Sequence, residues 1–200
     1  MDDEKKNLPV QSESPIPPQP KKGNFFFETL KFVFISLLIV VPFRYFIAQP
    51  FIVSGASMEP TFTDGEYLIV DEISYHIEDP KRDDVVIFKY PLNTAKYFIK
   101  RIIGLPGETV IIQDGVITIK EKNGQTETLN EDYIKNIKRD NFTATLGDNE
   151  YFVLGDNRPN SADSRSWGPL PRDLIVGRPF LRLLPIKRVD IFPGVPNQVN

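Results

Sequence analysis

The feature that most constrains this chain is a strongly apolar segment that follows a polar start. Residues 25 to 47 are predominantly apolar, and a helix of this length would cross a hydrocarbon core of about 30 Å. Glu28 and Lys31 leave an uncharged run of only 12 residues, Phe32 to Phe43, before Arg44. A run that short suits a signal-peptide core or a buried helix equally well.

The flanks of the segment favour a transmembrane anchor. Long charged side chains near its ends can reach the interfaces, and Phe25, Phe26, Phe27 and Tyr45 are aromatic residues of the kind found there. Three lysines precede the apolar core and one arginine follows it, which predicts a cytoplasmic N-terminus. We therefore expect a single-pass membrane protein with a disordered cytoplasmic tail (1–24), an anchor helix (25–47) and an extracytoplasmic domain (48–200).

Composition removes several classes of function. The formal net charge is −3 and no basic stripe is interleaved with aromatics, so nucleic acid is not an expected partner. The absence of cysteine excludes disulfides and thiolate chemistry. His76 is the only histidine, and its polar surroundings predict a turn or surface position. We expect no metal and no cofactor, and the sequence does not define an oligomeric state.

The remainder of the chain predicts a mainly β domain, coiled or barrel-like, preceded by the one helix. Short β-branched and aromatic runs are typical of strands. Asp114-Gly115 between two of them predicts a hairpin, because a tight primed turn needs positive φ. Residues 121 to 149 are expected to be looser. The predicted strands are 67–70, 85–90, 97–103, 109–113, 116–120 and 151–154.

Three segments could carry chemistry, although each has a simpler interpretation. Ser57 lies in a run of small residues before Pro60, which could expose a hydroxyl or form an ordinary turn. Lys100 and Arg101 point to opposite faces of a predicted strand, so one faces inward or the strand lies at an edge. Residues 155 to 168 form a dense polar loop that could simply carry turns.

A buried lysine would have a catalytic use. Its pKa of about 10.4 must fall toward 7 to 8 before the amine can act as a base, and apolar neighbours lower it. A serine and a lysine are an established variant of nucleophilic catalysis. In the polar loop, Asp163 and Arg165 could pair with each other or with Arg101, and Ser161 could orient a lysine.

Together these segments resemble the type I signal peptidases. The resemblance is carried by Ser57-Met58 with Pro60-Thr61, then Tyr97 to Arg101 with Gly104 to Gly107, then Gly155 to Arg158 with Asn160-Ser161 and Asp163 to Arg165. It runs from the apolar segment to about Gly194 and fails in the tail and in residues 121 to 149.

The resemblance implies a role for each matching residue. Ser57 would attack the scissile carbonyl and Lys100 would take its proton, with Ser161 holding the amine. Asp163 and Arg165 would be a structural ion pair. The Ser57 backbone N–H would bind the oxyanion. Gly55 stands where many members carry a hydroxyl, so the second oxyanion donor is left open.

The resemblance also implies the location, which would be the bacterial cytoplasmic membrane, and the substrate. Preprotein signal peptides would be cut after small residues, Ala-x-Ala-like, beside the lipid bilayer. The substrate strand would add alongside strands near residues 53 and 98. Two alternatives are a Ser-Lys protease with another substrate and a catalytically silent membrane-tethered β domain. The pocket walls are expected to include Phe51, Val53, Phe62, Phe98 and Ile99.

Overall fold

The computed structural model describes residues 25–46 and 48–195. Apart from the helix α1 (Phe25–Phe46), the described chain is mainly β, as the sequence predicts. The chain divides into a unit up to Ile39 and a second unit from Val40 onward. The predicted tail, residues 1–24, lies outside the described residues.

Helix α1 covers the predicted anchor except for residue 47, which is not described. The apolar side chains described in it are largely exposed, with Phe25 at 82% and Phe32 at 72%. No helix in the described part of the chain is long and apolar enough to cross a membrane. The spanning role predicted for residues 25 to 47 is therefore not confirmed.

The second unit contains two antiparallel sheets. The strands of the larger sheet are β1 (Ala48–Ile52), β2 (Tyr67–Asp71), β3 (Val85–Tyr90), β4 (Asn93–Gly104), β9 (Glu150–Leu154), β10 (Leu170–Pro171), β11 (Ile175–Leu184) and β12 (Asp190–Ile191). Their order in the sheet is β1-β2-β11-β3-β4-β9-β10, with β12 paired to β11.

The strands of the smaller sheet are β5 (Thr109–Gln113), β6 (Val116–Lys120), β7 (Thr126–Thr128) and β8 (Phe142–Thr145). Their order in the sheet is β7-β6-β5-β8. The predicted hairpin turn is found between β5 and β6, where Asp114 has φ 50° and Gly115 has φ 83°. The region predicted to be loose supplies β7, β8 and the segment that joins them, residues 129–141.

All six predicted strands are found, because each carries the pattern that its position requires. In β2 and β5 buried side chains alternate with more exposed ones, as in a strand with one covered face. In β3 and β9 consecutive residues are buried, as in strands covered on both faces. After residue 50 the described helices are single turns: α2 (Ser74–Ile77), α3 (Ser164–Trp167) and three short 3₁₀ turns.

Three apolar clusters form the core of the second unit. One lies between the sheets and joins Ile103, Phe152 and Leu154 to the inner side chains of β5 and β6. Another, around Phe88 and Val153, covers the opposite side of the larger sheet. The third underlies the loop after β1, and its members are Val53, Met58, Phe62, Leu68 and Val85. Burial of each large side chain contributes about 1.5 to 3 kcal/mol, so this third cluster fixes the loop that carries Ser57.

Candidate active site

An open cleft of about 550 Å³ lies between β1, the loop after it and β4. Its lining includes most of the residues singled out in the sequence: Phe51, Val53, Gly55, Ser57, Phe98, Ile99 and Lys100. Phe62, expected in a pocket wall, is instead completely buried in the core cluster beneath the loop. Its side chain packs inward because the loop turns back toward the sheet at Met58 and Phe62, whose backbones are hydrogen-bonded at 2.9 Å.

Ser57 is half-buried in the loop between β1 and β2. The loop is fixed at its base, where Val53 and Glu66 are joined by a backbone hydrogen bond of 2.9 Å. Asn157 fixes its tip, because its backbone N–H donates to Ser57 O at 3.0 Å and its Nδ2 donates to Ala56 O at 3.0 Å. The serine is thus held from two directions and its hydroxyl faces the cleft.

Lys100 reaches this hydroxyl from β4. Its Nζ lies 2.6 Å from Ser57 Oγ and donates a hydrogen bond of 2.9 Å to Ile99 O. The residue is only 3% exposed, and the ring of Phe98 lies 5.5 Å from the amine. Burial lowers the pKa of Lys100 to about 8, and the negative charges of Asp163 and Asp156 oppose part of this effect. An amine with that pKa is substantially neutral at mildly alkaline pH and can accept the serine proton.

Arg101 points to the opposite face of β4, as strand alternation predicts, yet it is buried as well. One of the two residues was expected to face inward unless the strand lay at an edge; both side chains are buried, because β4 is covered on both faces at this point. Arg101 Nε and Nη2 donate to the two carboxylate oxygens of Asp156 at 3.0 and 2.7 Å. The ion pair is shielded from solvent, with side-chain exposures of 1% for Arg101 and 0% for Asp156. Asp156 also accepts a hydrogen bond of 2.5 Å from Thr61 Oγ1.

Asp163 and Arg165 pair with each other and not with Arg101. Arg165 Nη2 donates to Asp163 Oδ2 at 2.8 Å, and Asp163 accepts a further bond from the Gly155 N–H at 3.2 Å. Burial tends to raise the pKa of Asp163, but the hydrogen bond and charge of the Arg165 guanidinium, with smaller effects of the Ser161 hydroxyl and the Gly155 N–H, hold the pKa below its usual range. The Asp163–Arg165 ion pair therefore fixes the conformation of the loop of residues 155 to 168.

Ser161 makes no hydrogen bond to the Lys100 amine, contrary to expectation. Its buried hydroxyl packs against Gly155 and lies close enough to Asp163 to help lower the pKa of that carboxyl. A Cβ at Gly155 would lie 2.2 Å from Ser161 Oγ and 2.4 Å from Ser57 O. Only glycine lets the loop approach the nucleophile this closely.

The two positions considered for oxyanion binding, the Ser57 N–H and residue 55, differ in availability. No described residue accepts a hydrogen bond from the Ser57 N–H, so it can point to a developing oxyanion. The Gly55 N–H is occupied, because it donates to Asp64 Oδ1 at 2.7 Å. Gly55 therefore helps to hold the loop.

The sequence did not identify the residues that hold Ser57 and Arg101 in place. Asp156 and Asn157 lie in the polar loop of residues 155 to 168, but their partners are distant in the chain. Glu131 and Tyr133, which contact Arg158 and Arg101, lie in the region where the resemblance fails, and no local pattern distinguishes them. His76 is exposed on α2 with its Nδ1 2.8 Å from Glu72 O. Within residues 25–46 and 48–195, no three His, Asp or Glu side chains are grouped as metal ligands would be.

A serine hydroxyl hydrogen-bonded to a buried lysine amine, in a cleft of a mainly β unit, defines a serine peptidase site. The family model described as "Signal peptidase, peptidase S26" matches residues 26–184. The chain is 35% identical over 179 residues to probable signal peptidase I-1 of Synechocystis, with 86% of this chain and 89% of that protein covered.

Two further relatives give the same result. Signal peptidase I of Leptolyngbya laminosa is 36% identical over 197 residues, with 90% of this chain and 94% of that protein covered. Signal peptidase I T of Bacillus subtilis is 37% identical over 169 residues, with coverages of 78% and 84%. The chain belongs to the type I signal peptidase family.

Proposed function

We propose that this protein cleaves the N-terminal signal peptides of exported preproteins after small residues, with Ser57 as nucleophile and Lys100 as general base. The observation that carries the proposal is the 2.6 Å separation of Ser57 Oγ from the buried amine of Lys100. The names of the relatives, all signal peptidases, support the choice of substrate.

The reaction follows from the contacts of the amine. With one N–H donated to Ile99 O, the lone pair of neutral Lys100 faces Ser57 and accepts the hydroxyl proton as Oγ attacks the scissile carbonyl. The Ser57 N–H stabilises the oxyanion that forms. The lysine ammonium then protonates the leaving amine, and the C–N bond breaks to leave an acyl-serine. Water attacks this ester, and Lys100 takes its proton and returns one to Oγ.

The lining of the cleft supports a preference for small side chains. Phe51, Val53, Phe98 and Ile99 give it an apolar surface close to Ser57, which we expect to favour small residues at the cleavage site. Of the described strands, β9 pairs with β4 only from Arg101 to Gly104, so the stretch from Asn93 to Lys100 has one free edge. An extended substrate can add to this edge through backbone hydrogen bonds.

We further propose that residues 25 to 47 attach the protein to the bacterial cytoplasmic membrane, with its N-terminus in the cytoplasm and the cleft outside. The helical conformation and the exposed apolar side chains of α1 support this. Because the chain lacks cysteine, single cysteines at Ser12 and at Asn123 can be labelled from either side of cells. Labelling of both positions from outside, or release of the protein by alkaline carbonate, would contradict the topology.

Cleavage of a purified preprotein by the full chain in detergent tests the activity. Ser57→Ala and Lys100→Ala should each abolish cleavage while the protein remains folded. Lys100→Arg should fail too, because a guanidinium does not lose its proton at working pH. Lys89→Ala, which removes an exposed lysine on β3, should cleave normally.

Retained cleavage by Lys100→Ala would discard the proposed base. An inactive wild-type protein would favour a catalytically silent β domain. Cleavage of other peptides but not of preproteins would favour a peptidase with a different substrate.

A further inference from the structure

The segment 129–141, between β7 and β8, carries two side chains that reach the surroundings of the active site: Glu131 contacts the loop of residues 155 to 168, and Tyr133 contacts strand β4. Tyr133 Oη donates a hydrogen bond of 2.9 Å to Glu131 Oε1. Burial, followed by the charge of Glu131, raises the pKa of Tyr133, so the phenol stays protonated and keeps donating. We call this pair the Glu131–Tyr133 clamp.

Glu131 holds the loop that anchors the nucleophile. Arg158 Nη1 donates to Glu131 Oε2 at 2.9 Å, and Arg158 Nη2 donates to the other carboxylate oxygen. The two side chains are 6% and 13% exposed, so water screens this bidentate pair little. Arg158 directly follows Asn157, whose two hydrogen bonds hold the backbone of Ala56 and Ser57.

Tyr133 holds the strand that carries the base. Its ring covers the Arg101 guanidinium at 4.1 Å from the ring centroid. Arg101 directly follows Lys100, and its other contacts are the Asp156 carboxylate and the backbone oxygens of Asp83 and Gly194. The clamp thus touches the chain neighbour of Lys100 and the chain neighbour of the residue that holds Ser57.

A third side chain of segment 129–141, that of Asp140, also contacts the loop of residues 155 to 168. Asp140 Oδ2 accepts a hydrogen bond of 3.0 Å from Arg165 Nη1, and Arg165 Nη2 donates to Arg158 O at 2.8 Å. Segment 129–141 therefore meets both arginines of the loop that contains Ser161. These contacts restrict the movement of the loop of residues 155 to 168.

We propose that Glu131 and Tyr133 are positioning residues for the peptidase reaction, which set the separation of Ser57 Oγ and Lys100 Nζ by fixing the neighbours of both. The inference rests on the proposed Ser57–Lys100 function. It assigns a role to a region in which the chain departs from the signal peptidase motifs. Misplacement of a reacting group by about 1 Å can cost about 100-fold in rate.

Three variants of the full chain in detergent test the clamp. Glu131→Gln keeps the size of the side chain but removes the charge that binds Arg158. Tyr133→Phe keeps the ring over Arg101 and removes only the bond that joins the two clamp residues. Asp132→Asn is the matched control, because Asp132 is the exposed acid between them.

Each variant is measured as kcat and KM for a preprotein over a range of pH. Glu131→Gln should lower kcat by about 10- to 100-fold, with a smaller change in KM. Its pH midpoint should rise, because a loosened pair admits water to the Lys100 amine, while Asp156 and Asp163, the carboxylates acting on it, are unchanged. Tyr133→Phe should show the same changes at smaller size, and Asp132→Asn should match the wild type.

A purely structural clamp gives a different result. The unfolding temperature of Glu131→Gln would fall, while kcat and the pH midpoint measured well below that temperature would match those of Asp132→Asn. That result would overturn the positioning role. If Glu131→Gln does not fold, kcat and the pH midpoint of Tyr133→Phe are compared with those of Asp132→Asn instead. Lys100→Ala is assayed in parallel: cleavage by that variant would refute the dyad itself, whereas an inactive Lys100→Ala beside a normal Glu131→Gln would refute the clamp alone.

Discussion

Replacing Asp156 by asparagine should destabilise the protein strongly, because it leaves a buried guanidinium without its counter-charge. Arg101 donates two of its four hydrogen bonds to this carboxylate, and the other two go to backbone oxygens. In the variant one carboxylate oxygen becomes an NH₂ group that faces another donor, and Thr61 can lose its acceptor as well. Removal of one partner from a buried pair costs about 3 to 5 kcal/mol.

The free energy of unfolding is measured on the full chain in detergent by urea and by heat. Trp167 is the only tryptophan and packs 5.8 Å from the ring of Phe88, so its fluorescence reports on the core. At roughly 2 to 4 °C per kcal/mol, the unfolding temperature should fall by about 6 to 20 °C. Because Asp156 tends to raise the pKa of Lys100, its replacement should also lower the pH midpoint of activity.

Asp148→Asn is the control for a surface ion pair. Asp148 contacts Lys122 at 2.7 Å but is 88% exposed, so the change should leave the unfolding midpoint within error. If Asp156→Asn unfolds at the same urea concentration and temperature as Asp148→Asn, the buried Arg101–Asp156 pair does not hold β4 to the loop of residues 155 to 168.

Three further outcomes are expected. Gly155→Ala should reduce cleavage by about 100-fold, because its Cβ would clash with Ser161 Oγ and Ser57 O and shift the nucleophile; a cleavage assay showing near-normal turnover would contradict this. Phe62→Ala should lower the free energy of unfolding by about 3 to 5 kcal/mol, and urea unfolding with an unchanged midpoint would show that Phe62 is not a core residue. The pH dependence of kcat/KM should rise through about 8 as Lys100 loses its proton and then level off; a rise centred above 10 would contradict the lowered pKa.

Strands could be predicted from the sequence where burial against the core alone sets the pattern of apolar residues. In β5 and β6 alternate side chains meet the core, and the turn between them requires positive φ at Asp114 and Gly115. Strand β11 was missed, although it has ten residues, because Gly177, Pro179 and Arg182 interrupt the apolar pattern. Arg182 can be buried because distant groups accept its hydrogen bonds: Glu66, 116 residues away in the chain, at 3.0 and 3.1 Å, and Thr61 O at 3.0 Å.

In the active site too, features set by neighbouring residues could be predicted, whereas contacts with residues distant in the chain could not. Ser57 and Lys100 lie in segments whose local chemistry drew attention, and the structure brings them together. The partner of Arg101 could not be read from alternation, which gives the face of a strand but not what covers it. Phe62 was assigned to a pocket because its position matched the family, while the direction of its side chain depends on how the loop folds back. Ser161 was expected at the amine for the same reason and lies against Gly155.

The most direct test of the central claim is the pKa of the Lys100 amine itself. Full-length protein with ¹⁵N-labelled lysine side chains can be titrated by NMR in detergent, with Lys100→Ala identifying the signal. A proton should leave Nζ near pH 8, and the signal should shift when Ser57 is changed to alanine. Titration near the ordinary lysine value of about 10.4, with no response to Ser57, would contradict a buried amine that takes the serine proton.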